Sequence, residues 1–170
     1  MKTLELFMDS SVNPQSKIAF ASYLVKYCKN IDLEILKNSI KSKLFTNTSS
    51  TKAELQAFLW ALDEILKNGI LEQNLQIKVY TDCQNIISLN ERKDKLEKNN
   101  FYSKTGKPIN NAELYKEFFE KIKSLNIEFI KVKGHKKSYL KDETDLVFSL
   151  VDKASRKSLR DYLNGAAEGT

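Results

Sequence analysis

The run Leu4-Glu5-Leu6-Phe7-Met8-Asp9 is short, apolar, roughly alternating, and ends on a carboxylate. That is the pattern of a strand whose last side chain sits at a sheet edge. A second run, Ile77-Lys78-Val79-Tyr80-Thr81-Asp82, repeats it. Between them come Ile18 to Lys26 (IAFASYLVK) and roughly Leu33 to Ile40 (LEILKNSI), read as the second and third strands. Asn, Pro and Ser residues separate the first strand from the second, and such short connections favour an antiparallel meander. Thr51-Lys52-Ala53-Glu54 has the spacing of a capping box, and Leu55, Phe58, Leu59, Leu62, Ile65 and Leu66 then recur at helical spacing. A crossover through that helix sets the first and fourth strands side by side and parallel.

Farther along, Ile86-Ile87-Ser88-Leu89 reads as a short helix leaving the fourth strand, and Glu91 to Asn111 as a polar, basic segment. A helix is predicted over about Ala112 to Leu125, a fifth strand over Ile127 to Lys133, and a closing amphipathic helix over roughly Ser149 to Leu163. Gly165 to Thr170 (GAAEGT) has the composition of a disordered tail, which leaves one domain over residues 1–164. The expected fold class is α/β, with a five-stranded mixed sheet flanked by helices.

At 170 residues, with 41% hydrophobic and 29% charged side chains, the chain has ordinary globular composition. No apolar run approaches the ~20 residues that span a bilayer, so no membrane partner is expected. Glu5 and the absence of a small-residue cleavage pattern argue against a signal peptide. Cys28 and Cys83 are isolated, which excludes a disulfide framework and a Cys-based zinc site and makes a reducing cytoplasm the expected compartment. A net charge of +6 and a pI near 9.1 suit a polyanionic partner.

Asp9 and Asp82 close strands that the crossover makes neighbours, about 5 Å apart at the edge where α/β proteins bind ligands. Two carboxylates held there repel each other unless a cation lies between them. Glu54, in the first turn of the intervening helix, reaches the same edge, and Asp152 on the last helix is a fourth oxygen donor. An oxygen-only set suits Mg²⁺, with Mn²⁺ as a substitute. Two such ions about 3.5–4 Å apart can activate water and stabilise the leaving 3′ oxygen of a phosphodiester. The plainer readings make Asp9 and Asp82 turn formers, Glu54 a capping partner of Thr51, and Asp152 a residue capped by Ser149.

These residues resemble the type 1 ribonucleases H of bacteria. Asp9-Ser10-Ser11 is similar to that family's first-strand Asp-Gly-Ser, and Lys52-Ala53-Glu54-Leu55 to its helix motif. Tyr80-Thr81-Asp82-Cys83-Gln84 resembles its Thr-Asp-Ser-Gln. Lys107-Pro108-Ile109-Asn110-Asn111, with Leu114-Tyr115, resembles the stretch after its basic protrusion. Val132-Lys133-Gly134-His135 matches its Val-Lys-Gly-His, and Val151-Asp152-Lys153 is similar to its last acidic motif.

The resemblance implies a ribonuclease H-like fold and metal-dependent hydrolysis of the RNA strand of RNA–DNA hybrids, leaving 5′-phosphate and 3′-hydroxyl ends. It makes Asp9, Glu54, Asp82 and Asp152 the catalytic metal ligands, and His135 an aid to proton transfer or product release. It makes Glu91 to Asn111 a grip on the DNA strand, with Arg92, Lys93, Lys95, Lys98, Lys104 and Lys107 on phosphates and Phe101 and Tyr102 against a sugar or base. Ser10, Ser11, Gln84, Asn110 and Asn111 would face the hybrid, where 2′-hydroxyls mark RNA. No small-molecule cofactor is implied, and a monomer is expected.

Three departures from the family pattern stand out. Ser10 occupies a position where the family has Gly, and Cys83 one where it has Ser. The path from His135 to Asp152 is long and carries Asp142, Glu143 and Asp145, so Asp145 competes with Asp152 as the fourth ligand. Two other functions stay open at this stage: a non-catalytic hybrid-binding module on the same fold, and a related nuclease that cuts DNA.

Overall fold

A computed structural model describes residues 2–27, 29–69, 74–134 and 136–168, with side chains through residue 165 in the last helix. Five strands form one mixed sheet: β1 (Lys2–Asn13), β2 (Ile18–Lys26), β3 (Lys41–Phe45), β4 (Leu75–Thr81) and β5 (Asn126–Lys131). Their spatial order is β3-β2-β1-β4-β5. β1 pairs antiparallel with β2, and β2 with β3, while β4 runs parallel to both β1 and β5. This is the mixed sheet that the sequence predicts.

Alternation along β1 assigns the two faces. Leu4, Leu6 and Met8 turn one way and, with Ile77 and Val79 of β4, meet Leu55, Phe58, Leu62 and Ile65 of helix α2 (Ser50–Lys67). Phe7 turns the other way and stacks on Tyr80, with ring centroids 4.5 Å apart. That second layer is closed by Val147, Phe148 and Val151 of the last helix and by Leu36 of α1 (Leu33–Ser39). Helices α3 (Gln84–Leu89), α4 (Lys93–Lys98) and α5 (Ala112–Ile122) lie between β4 and β5 in the chain. The final helix, α6, spans Glu143–Glu168.

Four boundaries differ from the sequence reading, each for a local reason. Leu33 to Ile40 is not the third strand. Asp32 accepts a hydrogen bond from the Glu34 N–H at 2.8 Å and starts α1 there. The strand is Lys41–Phe45, whose Lys41, Ser42 and Lys43 are exposed, as suits a sheet edge that repels further pairing. Helix α2 is preceded by Ser49 and makes no side-chain cap, so Thr51 and Glu54 do not form a capping box.

The same motif occurs elsewhere. Asp142 Oδ1 accepts from the Asp145 N–H at 2.8 Å, and Asp145 Oδ2 accepts from the Asp142 N–H at 3.1 Å. This reciprocal cap starts α6 well before Ser149, whose hydroxyl instead donates to the Asp145 carbonyl at 2.8 Å. Ser149 therefore does not cap Asp152, which lies inside the helix. At the other end α6 runs through Gly165 to Glu168 where a tail was expected, and residues 169–170 lie outside the described residues. No helix among the described residues is long and apolar enough to cross a membrane.

Candidate active site

The register of the parallel pair places the first two carboxylates. Phe7 pairs with Tyr80, so Asp9 and Asp82 each follow that rung by two residues. Asp9 is not the end of its strand, because β1 continues to Asn13 in a hairpin with β2. It stands where pairing with β4 has stopped, and Asp82 stands just past the end of β4. The third carboxylate comes from the first turns of α2. Ligand oxygens of Asp9, Glu54 and Asp82 all lie within 4.8 Å of one another.

Alternation then sends adjacent residues of β1 to opposite layers. Asp9 turns toward α6, where the negative field of Asp152 acts on its carboxyl. Ser10 turns toward α2, and its Oγ donates to Glu54 Oε1 at 2.7 Å. Asp152 accepts from Arg156, one turn along α6, at 3.0 Å. Gly134 closes the site from the β5 side, since a Cβ built there would meet Asp82 Oδ2 at 3.0 Å.

Burial dominates the electrostatics, and charge repulsion adds to it. Burial, followed by the negative fields of Glu54, Asp82 and Asp152, pushes the Asp9 carboxyl far above the ordinary carboxylate range. Glu54 is pushed up to about 7 by burial, against hydrogen bonds from Ser10 and with added repulsion from Asp82. Glu54 Oε2 is buried and has no hydrogen-bond partner among the described residues. A buried carboxylate oxygen in that state is costly unless something positive meets it. Hard oxygen donors, mutual repulsion and one unmatched oxygen fit a divalent cation of the Mg²⁺ or Mn²⁺ type.

Asp145 lines the same cleft as Asp152 but is not part of the carboxylate cluster. It is buried, accepts from Lys136 Nζ at 2.9 Å, and belongs to the cap of α6. Burial alone would raise its pKa, but the bonds from Lys136 and Asp142 outweigh burial and hold the carboxyl below its ordinary range. Seven helical residues separate it from Asp152, about 10 Å along the axis.

A cleft of about 260 Å³ opens beside the carboxylates, lined by Gly134, Asp152 and the cations Lys133, Lys136, Lys141, Lys153 and Arg156. Gln84, exposed at the start of α3, accepts from Lys131 Nζ at 2.6 Å. Ser11 is half-buried in the β1–β2 hairpin. Cys83 precedes α3 as a half-buried thiol whose pKa is raised by burial, the behaviour of a packing residue rather than a nucleophile. His135 lies outside the described residues.

The basic segment forms a projection built on Asn90–Arg92, α4 and a loop closed by a Tyr102–Pro108 bridge. Lys95, Lys98, Lys104 and Lys107 are exposed and form no ion pair among the described residues. Arg92, Lys95, Asn99, Tyr102 and Lys104 line a cleft of about 380 Å³ there. One of the expected contacts falls differently. Phe101 packs on Phe119, with ring centroids 6.3 Å apart, so it anchors the projection. Lys93 lies over the Phe119 ring at 6.0 Å. Tyr102 stays exposed, Asn110 is exposed, and Asn111 holds a left-handed φ of 64° at the start of α5.

The model of the family described as RNase H matches residues 1–151. The chain belongs to the RNase H family. The match stops one residue before Asp152, so that position rests on the geometry above. A ribonuclease H of Clostridium botulinum is 34% identical over 101 residues, 58% of this chain and 63% of that protein's length. One of Caldicellulosiruptor saccharolyticus is 27% identical over 117 residues, covering 68% of this chain and 72% of the relative. Among solved structures, the PFV RNase H domain superposes with a TM-score of 0.64 at 18% identity, over 92% of each chain. LC9-RNase H1, a type 1 RNase H with the type 2 active-site motif, gives 0.60 at 19% identity over 79% of this chain and 64% of that one. These likenesses establish the RNase H fold.

The sequence contained no direct sign of the Ser10–Glu54 bond, since the two residues are 44 positions apart. Strand alternation, carried one residue past Asp9, points Ser10 at α2. The Asp152–Arg156 pair was legible as an i, i+4 spacing on a helix.

Proposed function

We propose that this chain is an endoribonuclease that hydrolyses the RNA strand of RNA–DNA hybrids, leaving 5′-phosphate and 3′-hydroxyl ends. The observation that carries this reading is the cluster of Asp9, Glu54 and Asp82 oxygens within 4.8 Å, in a member of the RNase H family. Asp9, Glu54, Asp82 and Asp152 would hold Mg²⁺, with Mn²⁺ as a substitute. When bound, the metal supplies activation of water and neutralises charge developing on the phosphate and the leaving 3′ oxygen.

The rest of the chemistry belongs to the chain. Burial keeps bulk water from screening the carboxylates and strengthens their attraction for the cation they would hold. The absence of a side chain at Gly134 keeps the Asp82 carboxylate uncrowded. His135, next in sequence, takes or returns a proton through its imidazole. Lys93, Lys95, Lys98, Lys104 and Lys107 hold DNA-strand phosphates, while Ser11, Gln84, Asn110 and Asn111 offer hydrogen bonds to the hybrid's minor groove. We assign residues 1–164 to one domain, acting as a monomer in the cytoplasm without a small-molecule cofactor.

The test uses an end-labelled hybrid beside matched RNA–RNA and DNA–DNA duplexes, with Mg²⁺ or with EDTA. Cleavage of the hybrid's RNA strand alone, abolished by EDTA, is the expected result. Binding without cleavage in either metal would make the chain a binding module, and DNA cleavage would make it a different nuclease.

A further inference from the structure

Ser10 stands where the resembled family has Gly, and the first expectation for such a side chain is crowding of the substrate. The structure gives it another task. Ser10 Oγ donates to Glu54 Oε1 at 2.7 Å from the strand face opposite Asp9. The Ser10 backbone N–H also favours the charged form of the same carboxylate. One Glu54 oxygen is thereby engaged, while Oε2 is buried without a partner among the described residues. Glu54 is only 9% exposed and Asp9 4%, so water has little access to relieve that oxygen.

A carboxylate held through one oxygen cannot rotate freely about its last bond. It therefore presents the second oxygen in a fixed direction. We infer that Ser10 is a positioning residue for the metal site: it takes up Glu54 Oε1 and leaves Oε2 as a single, pre-aimed ligand for a divalent cation. The inference rests on the metal-dependent reading above and adds to it. It makes Glu54 a one-oxygen ligand and makes the departure from Gly a contribution to metal affinity.

Hydroxyl chemistry and residue size separate this role from steric effects. Ser10→Ala keeps the Cβ and removes the donor. Ser10→Gly restores the family residue and also removes the donor. Ser10→Thr keeps the hydroxyl in a bulkier side chain. A group that orients a metal ligand typically contributes about 10- to 100-fold in metal affinity or activity. The lower end is expected here because the backbone N–H remains.

The experiment is calorimetric titration of Mn²⁺ into each folded protein without nucleic acid, followed by cleavage rates against Mg²⁺ concentration at saturating hybrid. Ser10→Ala and Ser10→Gly should each bind Mn²⁺ about tenfold more weakly than wild type. Both should need correspondingly more Mg²⁺ for half-maximal cleavage, with KM for the hybrid little changed. Ser10→Thr should lie near wild type. Unchanged Mn²⁺ isotherms in the Ala and Gly variants overturn the inference, and a raised KM beside them would make Ser10 a substrate contact. A wild-type chain that shows Ser10-dependent Mn²⁺ binding but cuts no hybrid would overturn the proposed activity and leave this inference standing.

Discussion

Lys136 Nζ donates to Asp145 Oδ2 at 2.9 Å, and the same oxygen accepts the Asp142 N–H at 3.1 Å. Asp145 Oδ2 is thus engaged in starting α6, while Asp152, two turns on, acts on the Asp9 carboxyl through its negative field. The two acids are predicted to separate cleanly in mutagenesis. Asp152→Asn should lower the cleavage rate by about a hundredfold or more, the order of several kcal/mol of lost charge stabilisation. Asp145→Asn should cut at close to the wild-type rate and lose about 1 kcal/mol of stability through the weakened cap. Rates at saturating Mg²⁺ and thermal melts of both variants check this. Loss of activity at Asp145 with retention at Asp152 would reverse the assignment.

The raised carboxyls make metal-free stability depend on pH. Asp9, through burial and repulsion from Glu54, Asp82 and Asp152, and Glu54, pushed up to about 7, keep protons in the fold that an unfolded chain has released. The folded state then binds more protons than the unfolded state, so stability falls as pH rises from the ordinary carboxylate range through 7. In EDTA the melting temperature should therefore be higher at pH 5.5 than at pH 8. Asp9→Asn should flatten this slope and raise the melting temperature at pH 8 by several degrees, on the order of 1–2 kcal/mol for a chain of this size. Added Mg²⁺ should stabilise wild type more than the variant. A melting temperature independent of pH in wild type would refute the repulsion argument.

Most of the site was legible because carboxylates placed by neighbouring parallel strands and a crossover helix leave few geometries open. Asp9, Glu54 and Asp82 met as the βαβ order required. What escaped the sequence were features set by competition between similar local signals. Thr51-x-x-Glu54 and Ser149-x-x-Asp152 both read as caps, yet the cap formed at Asp142-x-x-Asp145, where both acceptors face free N–H groups. Leu33 to Ile40 carried enough apolar residues for a strand, but Asp32 supplied a helix start. The true edge strand hid behind exposed lysines, whose polarity protects the edge and erases the apolar signal. Phe101 read as a contact for nucleic acid because its packing on Phe119 joins distant elements.

Gly134 offers a test of the site's tolerance. A methyl group there would sit 3.0 Å from Asp82 Oδ2, closer than an ordinary contact, and the carboxylate would have to move. Because Gly134 needs no positive φ, backbone strain is not the issue. Gly134→Ala should therefore reduce cleavage by about tenfold or more while the melting temperature changes little, since ligand misplacement of a few tenths of an ångström weakens a preorganised site. Equal rates for the variant and wild type would show that Asp82 has room to adjust.

The projection predicts a salt signature. Lys95, Lys98 and Lys104 are exposed and free of ion pairs among the described residues, so contact with phosphates would displace counterions from the nucleic acid. Each lost contact should reduce the slope of log affinity against log salt by about 1. Lys95→Ala/Lys98→Ala should raise KM for the hybrid at physiological salt with kcat nearly unchanged, and the deficit should shrink as salt is raised. Lys133→Ala/Lys153→Ala, in the cationic cleft beside Asp152, gives a comparison near the reacting bond, where loss of a phosphate contact should lower kcat as well as affinity. Hybrid binding in EDTA across a salt series, with steady-state cleavage, separates the two positions. If both pairs leave the slope at its wild-type value, neither surface meets a phosphate, and the hybrid must lie across some other face of the sheet edge.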